Sequence, residues 1–214
     1  MAKVKAPRSY DSNLRKEQAR QTRARILDAA QNLFAERGYA ATTVEAIAAA
    51  AGVATDTVYA SFRNKPGVLH SLLDLRVGGD EAPVGVLERE GPQAVRREPS
   101  QKRQIAGFAL GVAEILDRSR PVDDVMRGAA AVDPDIAALR ARMQEGRYAN
   151  IRQFAGWLAA NGPLRGGLTP DDAAAVVWAV ASPEVHGLLR VGRGWSAERY
   201  RDWLTVTLTR TLLP

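Results

Sequence analysis

The feature that most constrains the fold is a pair of short apolar-periodic stretches on either side of Gly52. The first stretch covers 44–51, and the second is expected over Thr55–Phe62, after Val53. Their apolar residues recur at helical spacing, and glycine adopts the left-handed conformation that ends a helix in a tight turn. The pattern therefore predicts two short helices joined at a steep angle, as in a helix-turn-helix. A generic two-helix hairpin would show the same pattern.

The flanking sequence predicts a further helix on each side of this pair. The preceding helix is expected to start at Leu14 or Thr22 and to stop at Gly38. The following helix is expected to start at Asn64 as N-cap, with Pro66 in its first turn. Apolar residues at helical spacing would bury one side of the preceding helix: Ile26, Leu27, Ala30, Leu33 and Phe34.

The cap of the first short helix has two candidates. Thr42 stands three residues before Glu45, which is the spacing of a capping box. Thr43 is an equally good N-cap because its hydroxyl could also accept from the first turn. The residues alone leave both open.

Composition places the chain in the all-α class. Alanine is the commonest apolar residue, and strand-forming residues are modest in number. No stretch shows the alternation of apolar and polar residues that is typical of a strand. Residues 77–99 are rich in Gly, Pro and charge and are expected to be a loop or connector. Further helices are expected at about 100–118, 122–131, 135–160, 170–191 and 196–213.

Positive charge is concentrated at the N-terminal end. Residues 1–65 hold 11 Lys/Arg and 6 Asp/Glu, a net charge of +5. The remaining residues hold 19 Lys/Arg and 18 Asp/Glu, a net charge of +1. This asymmetry suggests contact with a polyanion, although charge alone fits a solvated tail equally well. Five upstream cations could reach DNA phosphates or could form a solvated helix face paired with Glu17 and Asp28: Arg15, Lys16, Arg20, Arg23 and Arg25.

Several functional classes find no support in the sequence. The chain has no cysteine, and its two histidines, His70 and His186, are far apart. No phosphate-binding loop, nucleophile elbow or metal-ligand cluster occurs. The sequence therefore predicts neither an enzyme nor a cofactor or metal site. With no signal peptide or membrane-length apolar run, a cytoplasmic protein without a membrane partner is expected.

The stretch 26–73 resembles the DNA-binding domain of the tetracycline-repressor (TetR) family of bacterial regulators. The resemblance rests on many matches at the family's spacing: Ile26-Leu27-Asp28-Ala29-Ala30, Leu33-Phe34, Arg37-Gly38-Tyr39, Thr42-Thr43-Val44, Ile47-Ala48, Ala51-Gly52-Val53, Thr57-Val58-Tyr59, Phe62, Asn64-Lys65 and Leu69. It implies a three-helix domain whose second short helix enters the major groove of DNA.

The resemblance assigns roles to individual residues. Thr43 matches a position that contacts a phosphate at a helix N-terminus, and Lys65 matches a phosphate-binding lysine. On the second short helix, Thr55, Thr57 and Ala60 fall on the side nearest the bases, together with Asp56. Tyr59 and Ser61 match backbone-contacting positions, although Tyr59 could instead pack against the first helix.

Two residues depart from the family pattern. Ala54 stands where relatives often have serine, so the recognition helix lacks a favoured cap, for which Thr55 could substitute. Asp56 brings a negative charge close to DNA. It could accept a hydrogen bond from a cytosine amino group, or it could favour the helix start through the dipole, and the second interpretation is preferred.

The resemblance also implies the organisation and activity of the whole chain. It predicts a flexible basic arm (1–21), a DNA-binding domain (22–76), the connector (77–99), and a larger helical domain (100–214) for dimerisation and effector binding. Helices 170–191 and 196–213, apolar over more than one stripe, would form the homodimer interface.

Function follows the same resemblance. We expect a bacterial cytoplasmic, nucleoid-associated repressor that a small molecule releases from double-stranded operator DNA; the alternative is a DNA-binding regulator without a small-molecule effector. Large, soft side chains are the candidates for lining an effector pocket: Phe108, Met126, Met143, Tyr148, Phe154, Trp157 and Trp178.

Overall fold

The computed structural model describes residues 9–80 and 82–214, with side chains from Leu14 onward. Throughout these residues the regular structure is helical, with no strand. The expected all-α class is therefore confirmed. The chain divides into two compact units, the first ending at Leu72 and the second beginning at Leu73.

The first unit contains a long helix and the predicted helix pair. Its helices are α1 (Ser9–Ala41), α2 (Val44–Ala51), α3 (Thr55–Phe62) and the first part of α4 (Lys65–Gly78), which continues past the boundary. Gly38, with φ of 74°, interrupts the helical geometry of α1 near its end, where the sequence predicted the stop. The core is formed by side chains that are almost completely buried: Ile26, Leu27, Ala30, Ile47, Val58, Val68, Leu69 and Leu72.

The structure differs from the expected flexible arm over 1–21. Residues 9–21 form the first turns of α1, while residues 1–8 lie outside the described residues. An exposed ion pair between Arg20 and Glu17, and a hydrogen bond from Gln21 to Glu17, support this helix at i,i+3 and i,i+4 spacing. The absence of apolar periodicity was misleading, because Arg, Gln, Glu and Ala form helices readily without it.

The second unit contains the remaining helices packed on one another. They are α5 (Glu90–Arg97), α6 (Gln101–Ala130), α7 (Pro134–Ala160), α8 (Pro170–Val180), α9 (Pro183–Gly187) and α10 (Ala197–Leu212). A π-helical turn, Leu188–Gly192, follows α9. The expected connector 77–99 is thus partly ordered, since it includes the end of α4, a 3-10 turn at Val86–Glu88 and α5.

Two breaks fall elsewhere than the sequence indicated. The helices expected at 100–118 and 122–131 are one helix, α6, that runs through Pro121. The helix expected at 170–191 instead ends at Val180. There Ser182 caps a new helix by accepting from the amide of Val185 at 3.1 Å, and Pro183 occupies its first position.

Candidate nucleic-acid interface

The N-terminus of α2 is capped by Thr43. Its Oγ1 accepts a hydrogen bond from the amide of Ala46 at 3.1 Å, and its side chain is exposed. The neighbouring Thr42 is buried, and its hydroxyl donates to the carbonyls of Gly38 and Leu33 at 2.8 and 3.2 Å. Of the two candidate caps, Thr43 therefore holds the helix start, and Thr42 joins α2 to α1.

The turn between α2 and α3 has the geometry that Gly52 predicts. Gly52 is left-handed (φ 65°, ψ 43°), and its amide donates to the carbonyl of Ala49. The amide of Val53 donates to the carbonyl of Ala48 at 3.0 Å. These two bonds form a Schellman motif, which satisfies the last carbonyls of α2 and turns the chain sharply into α3.

Helix α3 buries one side and exposes the other. Val58 and Phe62 are buried in the core of the first unit, whereas Tyr59 is 43% exposed. Asp56 and Ala60 are exposed, and three hydroxyl residues are half-buried at the edges of the same face: Thr55, Thr57 and Ser61. Helix α3 thus presents an outer surface of hydroxyl, phenol and carboxylate groups, on which Tyr59 is partly exposed.

The start of α3 carries no side-chain cap. Ala54 is the N-cap residue, and Thr55 is the first helical residue rather than a substitute cap. The carbonyl of Ala54 accepts from the amide of Thr57 at 2.9 Å. Asp56 lies in the first turn, where a carboxylate interacts favourably with the helix dipole. The amides at this helix start are consequently not satisfied by a side chain of residue 54.

Lys65 bonds to the protein in this structure. Its Nζ donates to the carbonyls of Tyr39 and Thr42, both at 2.9 Å, and lies 4.1 Å from the centre of the Tyr39 ring. The ammonium therefore ties the start of α4 to the corner between α1 and α2. This placement adds a positioning role to the phosphate contact that the resemblance implies.

The junction between α3 and α4 is a tight turn at Arg63. Arg63 has φ of 70° and ψ of −44°, and the amide of Asn64 donates to the carbonyl of Phe62 at 2.9 Å, which makes a γ-turn of the strained type. Asn64 caps α4 by accepting from the amide of Gly67 at 2.8 Å. A Cβ atom at Gly67 would collide with the carbonyl oxygen of Phe62, so this junction requires glycine there.

Arg23, one of the upstream cations, contacts α3. Arg23 of α1 donates through Nη1 to the carbonyl of Ser61 at 2.9 Å, and its guanidinium lies 4.4 Å from the centre of the Phe62 ring. A cation at the C-terminal end of a helix is stabilised by the dipole. Arg23 thus holds α1 against the end of α3.

The seven candidate pocket residues lie in several parts of the second unit. Phe108 stacks on the buried Phe154 with ring centres 3.9 Å apart, and Tyr148 meets the half-exposed Trp178 edge-on at 6.3 Å. The other three are the buried Met126 and the half-buried Met143 and Trp157. Phe108, Tyr148, Phe154 and Trp157 belong to or pack against one apolar cluster, so plain core packing already accounts for much of this set.

The second unit contains a cluster of buried and partly buried polar side chains that the sequence did not predict. We call it the polar belt, and its members are Asp117, Asp123, Arg140, Gln144, Arg147, Glu184, His186 and Tyr200. Arg140 of α7 pairs with Glu184 at 3.0 Å and lies 4.0 Å from Asp123 of α6. Arg147 donates to the carbonyls of Trp178 and Ala181 at 3.0 and 2.8 Å. Five atoms of the belt are buried without a hydrogen-bond partner among the described residues: Asp123 Oδ2, Arg140 Nε, Gln144 Oε1, His186 Nδ1 and Tyr200 Oη.

Burial shifts the pKa values of two groups in the polar belt. It raises the pKa of the Asp123 carboxyl, an effect that Arg140 opposes. Burial lowers the pKa of the His186 imidazole, although the hydrogen bond between Nε2 and Asp117 at 3.0 Å acts in the opposite direction. Buried polar atoms without partners are uncommon in native proteins, so water or a ligand is expected to satisfy them.

The described residues contain neither a metal-binding cluster nor a membrane-spanning helix. No group of three histidine or acidic side chains there is arranged to hold a metal ion. No helix in residues 9–80 or 82–214 combines the length and the apolar character needed to cross a bilayer.

Sequence comparisons converge on the first unit. Residues 26–72 match the family model described as bacterial regulatory proteins, tetR family. The chain is 46% identical over 59 residues to the HTH-type transcriptional regulator TtgR of Pseudomonas putida, a match covering 28% of each chain. It is 35% identical over 120 residues to an HTH-type transcriptional repressor of Mycobacterium tuberculosis, covering 50% of this chain and 63% of the relative. These curated relatives are therefore matched over only part of their length.

Structural comparisons extend the likeness to both units. NalD, the secondary repressor of the MexAB-OprM multidrug efflux pump in Pseudomonas aeruginosa, aligns with a TM-score of 0.68 at 23% identity, covering 90% of this chain and 95% of NalD. SmeT in complex with triclosan aligns with the same TM-score at 22% identity, covering 90% and 92%. At these identities the alignments establish a shared fold. The chain is therefore similar to the tetR family of bacterial regulatory proteins over 26–72, and it shares a fold with NalD and SmeT over 90% of its length.

Proposed function

We propose that this protein is a homodimeric transcriptional repressor that binds operator DNA through α3. The observation that carries the proposal is the exposed outer face of α3. The opposite face is anchored in the core by Val58 and Phe62, and the start of the helix is held by the Gly52 turn. A rigid short helix with exposed hydroxyls and a phenol can enter a major groove and donate to phosphates and base edges. A cytoplasmic location and the absence of a catalytic role are part of the same proposal.

Individual contacts follow from the geometry. The uncapped start of α3 and the exposed start of α2 at Thr43 both suit phosphate oxygens, because helix N-termini favour anions. Thr55, Thr57 and Ala60 would face the bases, while Tyr59 and Ser61 would contact the backbone. Lys65 would act as a positioning residue that fixes the start of α2, and its positive charge would also attract the DNA phosphates.

The DNA-binding proposal is tested with a duplex selected from a random-sequence library by the wild-type protein. The double variant Thr57→Ala/Tyr59→Ala should lose specific retention of that duplex while remaining folded, because both side chains reach the outer face and neither is part of the core. The variant Gln153→Ala, at an exposed position of α7 in the second unit, serves as the control. Specific retention by the double variant would refute the placement of the interface on α3.

Dimerisation is proposed through the segments 170–191 and 196–213. Several large apolar side chains in these segments are exposed in the single chain: Trp178, Leu188, Val191 and Val206. Exposed apolar groups gathered on neighbouring helices are typical of a contact surface, and α8 and α10 do pack on each other. A second copy of the chain would cover them in a self-complementary interface.

Release by a small molecule is the remaining part of the proposal. SmeT has been solved with triclosan, and a FadR from Bacillus subtilis with stearoyl-CoA, and both share this fold. Ligand binding in the second unit would favour a conformation that binds the operator less well. Triclosan and stearoyl-CoA are the first probes, read by a shift in Tm together with release of the selected duplex. If a broader panel of small molecules gives neither response, the regulator without an effector becomes the better description.

A further inference from the structure

The net positive charge of the N-terminal part of the chain lies before the helix-turn-helix. Residues 26–72 hold three Lys/Arg and four Asp/Glu, a net charge of −1. Residues 1–25 hold eight Lys/Arg and two Asp/Glu, a net charge of +6. Since neutralising phosphates supplies much of the affinity of DNA-binding proteins, the segment before Ile26 is the one equipped to do so.

The start of α1 contacts α3 through Arg23, but little of it is buried. Among the described side chains of α1, the first that is buried is Ile26. Over 14–25 the side chains are exposed or half-buried, and Leu14, the single large apolar residue there, is half exposed. A polar helical segment without a buried face gains little from tertiary packing. Its surface is therefore available to a partner.

One side of this segment is directed towards the recognition helix. Arg23 donates to the carbonyl of Ser61 at the end of α3. Arg20 and Lys16 stand three and seven residues earlier, so they lie on the same side of α1 as Arg23. At a rise of about 1.5 Å per residue, Lys16 is about 10 Å along α1 from that contact, which is comparable with the roughly 12 Å width of a major groove.

We propose that Lys16 and Arg20 bind the phosphate backbone that borders the groove occupied by α3. The inference rests on the proposed DNA-binding function. The exposed ion pair of Arg20 with Glu17, at 2.8 Å, does not oppose it, since such pairs contribute at most about 1 kcal/mol and exchange easily for a phosphate. The contacts carry no sequence information. They set the strength of binding and its dependence on salt.

The experiment compares the affinity of full-length variants for the duplex selected by the wild-type protein, measured over a range of salt concentrations. In Lys16→Gln/Arg20→Gln, the slope of log K against log salt should become shallower by about 3.6 for the dimer, since each protomer loses two phosphate contacts and each contact contributes about 0.9. A charge-matched control, Lys102→Gln/Arg142→Gln, replaces two exposed cations of the second unit and should keep the wild-type slope. Circular dichroism checks that both variants are folded.

The outcomes separate the two proposals. If the wild-type protein selects no duplex, the proposed function fails and this inference fails with it. If the wild-type protein binds but Lys16→Gln/Arg20→Gln keeps the wild-type slope, only the phosphate contact of α1 is refuted. A hydroxyl-radical footprint provides a second readout, because the variant should lose protection only at the outer sugars next to those phosphates.

Discussion

At the scale of single residues, Arg63 shows how α3 is terminated. Its positive φ of 70° is a backbone conformation in which a Cβ atom is strained. Two backbone hydrogen bonds nevertheless fix the turn. The amide of Arg63 donates to the carbonyl of Tyr59, and the amide of Asn64 donates to the carbonyl of Phe62. The strain is a cost of turning directly from α3 into α4.

Removing the Cβ atom of Arg63 should therefore stabilise the protein. Arg63→Gly relieves the strain, and the expected gain in the free energy of unfolding is about 1 kcal/mol after the greater freedom of glycine in the unfolded chain is taken into account. Arg63→Ala is the matched control, because it removes the same guanidinium but keeps Cβ. Chemical denaturation should rank glycine above alanine; equal stabilities would contradict the strain.

Asp123 allows a pH-dependent test of the polar belt. Burial raises the pKa of its carboxyl, so the folded protein holds the proton more tightly than the unfolded chain. The stability that comes from the neutral form is present at low pH and is lost as the pH rises through the folded-state pKa. At neutral pH the ionised group is a cost.

The variant Asp123→Asn should consequently be more stable than the wild type at neutral pH. The difference in the free energy of unfolding should shrink as the pH falls towards the ordinary carboxyl pKa of 3.8, where the wild-type side chain is also neutral. Denaturation curves at several pH values measure this difference. A variant that is no more stable than the wild type at neutral pH would show that the charge of Asp123 is already compensated by Arg140.

At the scale of elements, caps explain which helix boundaries could be predicted. Thr43 and Gly52 are strong local signals, and the structure uses both. The Ser182-Pro183 pair is an equally good helix start, but it lies inside a long apolar pattern that suggested one continuous helix. Pro121 suggested a break that does not occur, because the hydrogen bond it removes is outweighed by the packing of α6 on α7 and α10.

The missing cap of α3 gives a prediction at this scale. Ala54→Ser places a hydroxyl at the N-cap, where the backbone is already extended (φ −69°, ψ 147°). The expected gain in the free energy of unfolding is roughly 0.5–1 kcal/mol, measured without DNA. Ala60→Ser, which introduces the same hydroxyl at an exposed position inside α3, should give no such gain. A loss of stability in Ala54→Ser would show that the cap geometry differs from a standard one.

At the scale of the whole molecule, the exposed side chains of α10 test the proposed dimer. Val206→Asp puts a charge on a side chain that is 47% exposed in the single chain and would be buried against a second copy. The variant should sediment as a monomer and bind the selected duplex more weakly. Val132→Asp, an exposed valine in the turn before α7, is the control and should leave the sedimentation of the wild type unchanged.

The sequence predicted the first unit far better than the second. In the first unit, short helices with local caps and a continuous set of motif residues determine the positions of Thr43, Tyr59 and Phe62. In the second, the polar belt is assembled from α6, α7, α9 and α10, and its members are as distant in sequence as Asp117 and His186. No local pattern indicates such long-range contacts, so the sequence indicated aromatic and methionine side chains as pocket candidates and did not predict the polar groups.

The charge difference between the two parts of the first unit has an evolutionary consequence. In the proposed complex, substitutions on the outer face of α3 would change which operator is preferred, while substitutions at the start of α1 would change how tightly any DNA is held. Selection could therefore adjust occupancy without altering target choice. A gene duplicate could acquire a new regulon in the same way, by altering α3 and keeping its existing strength of binding.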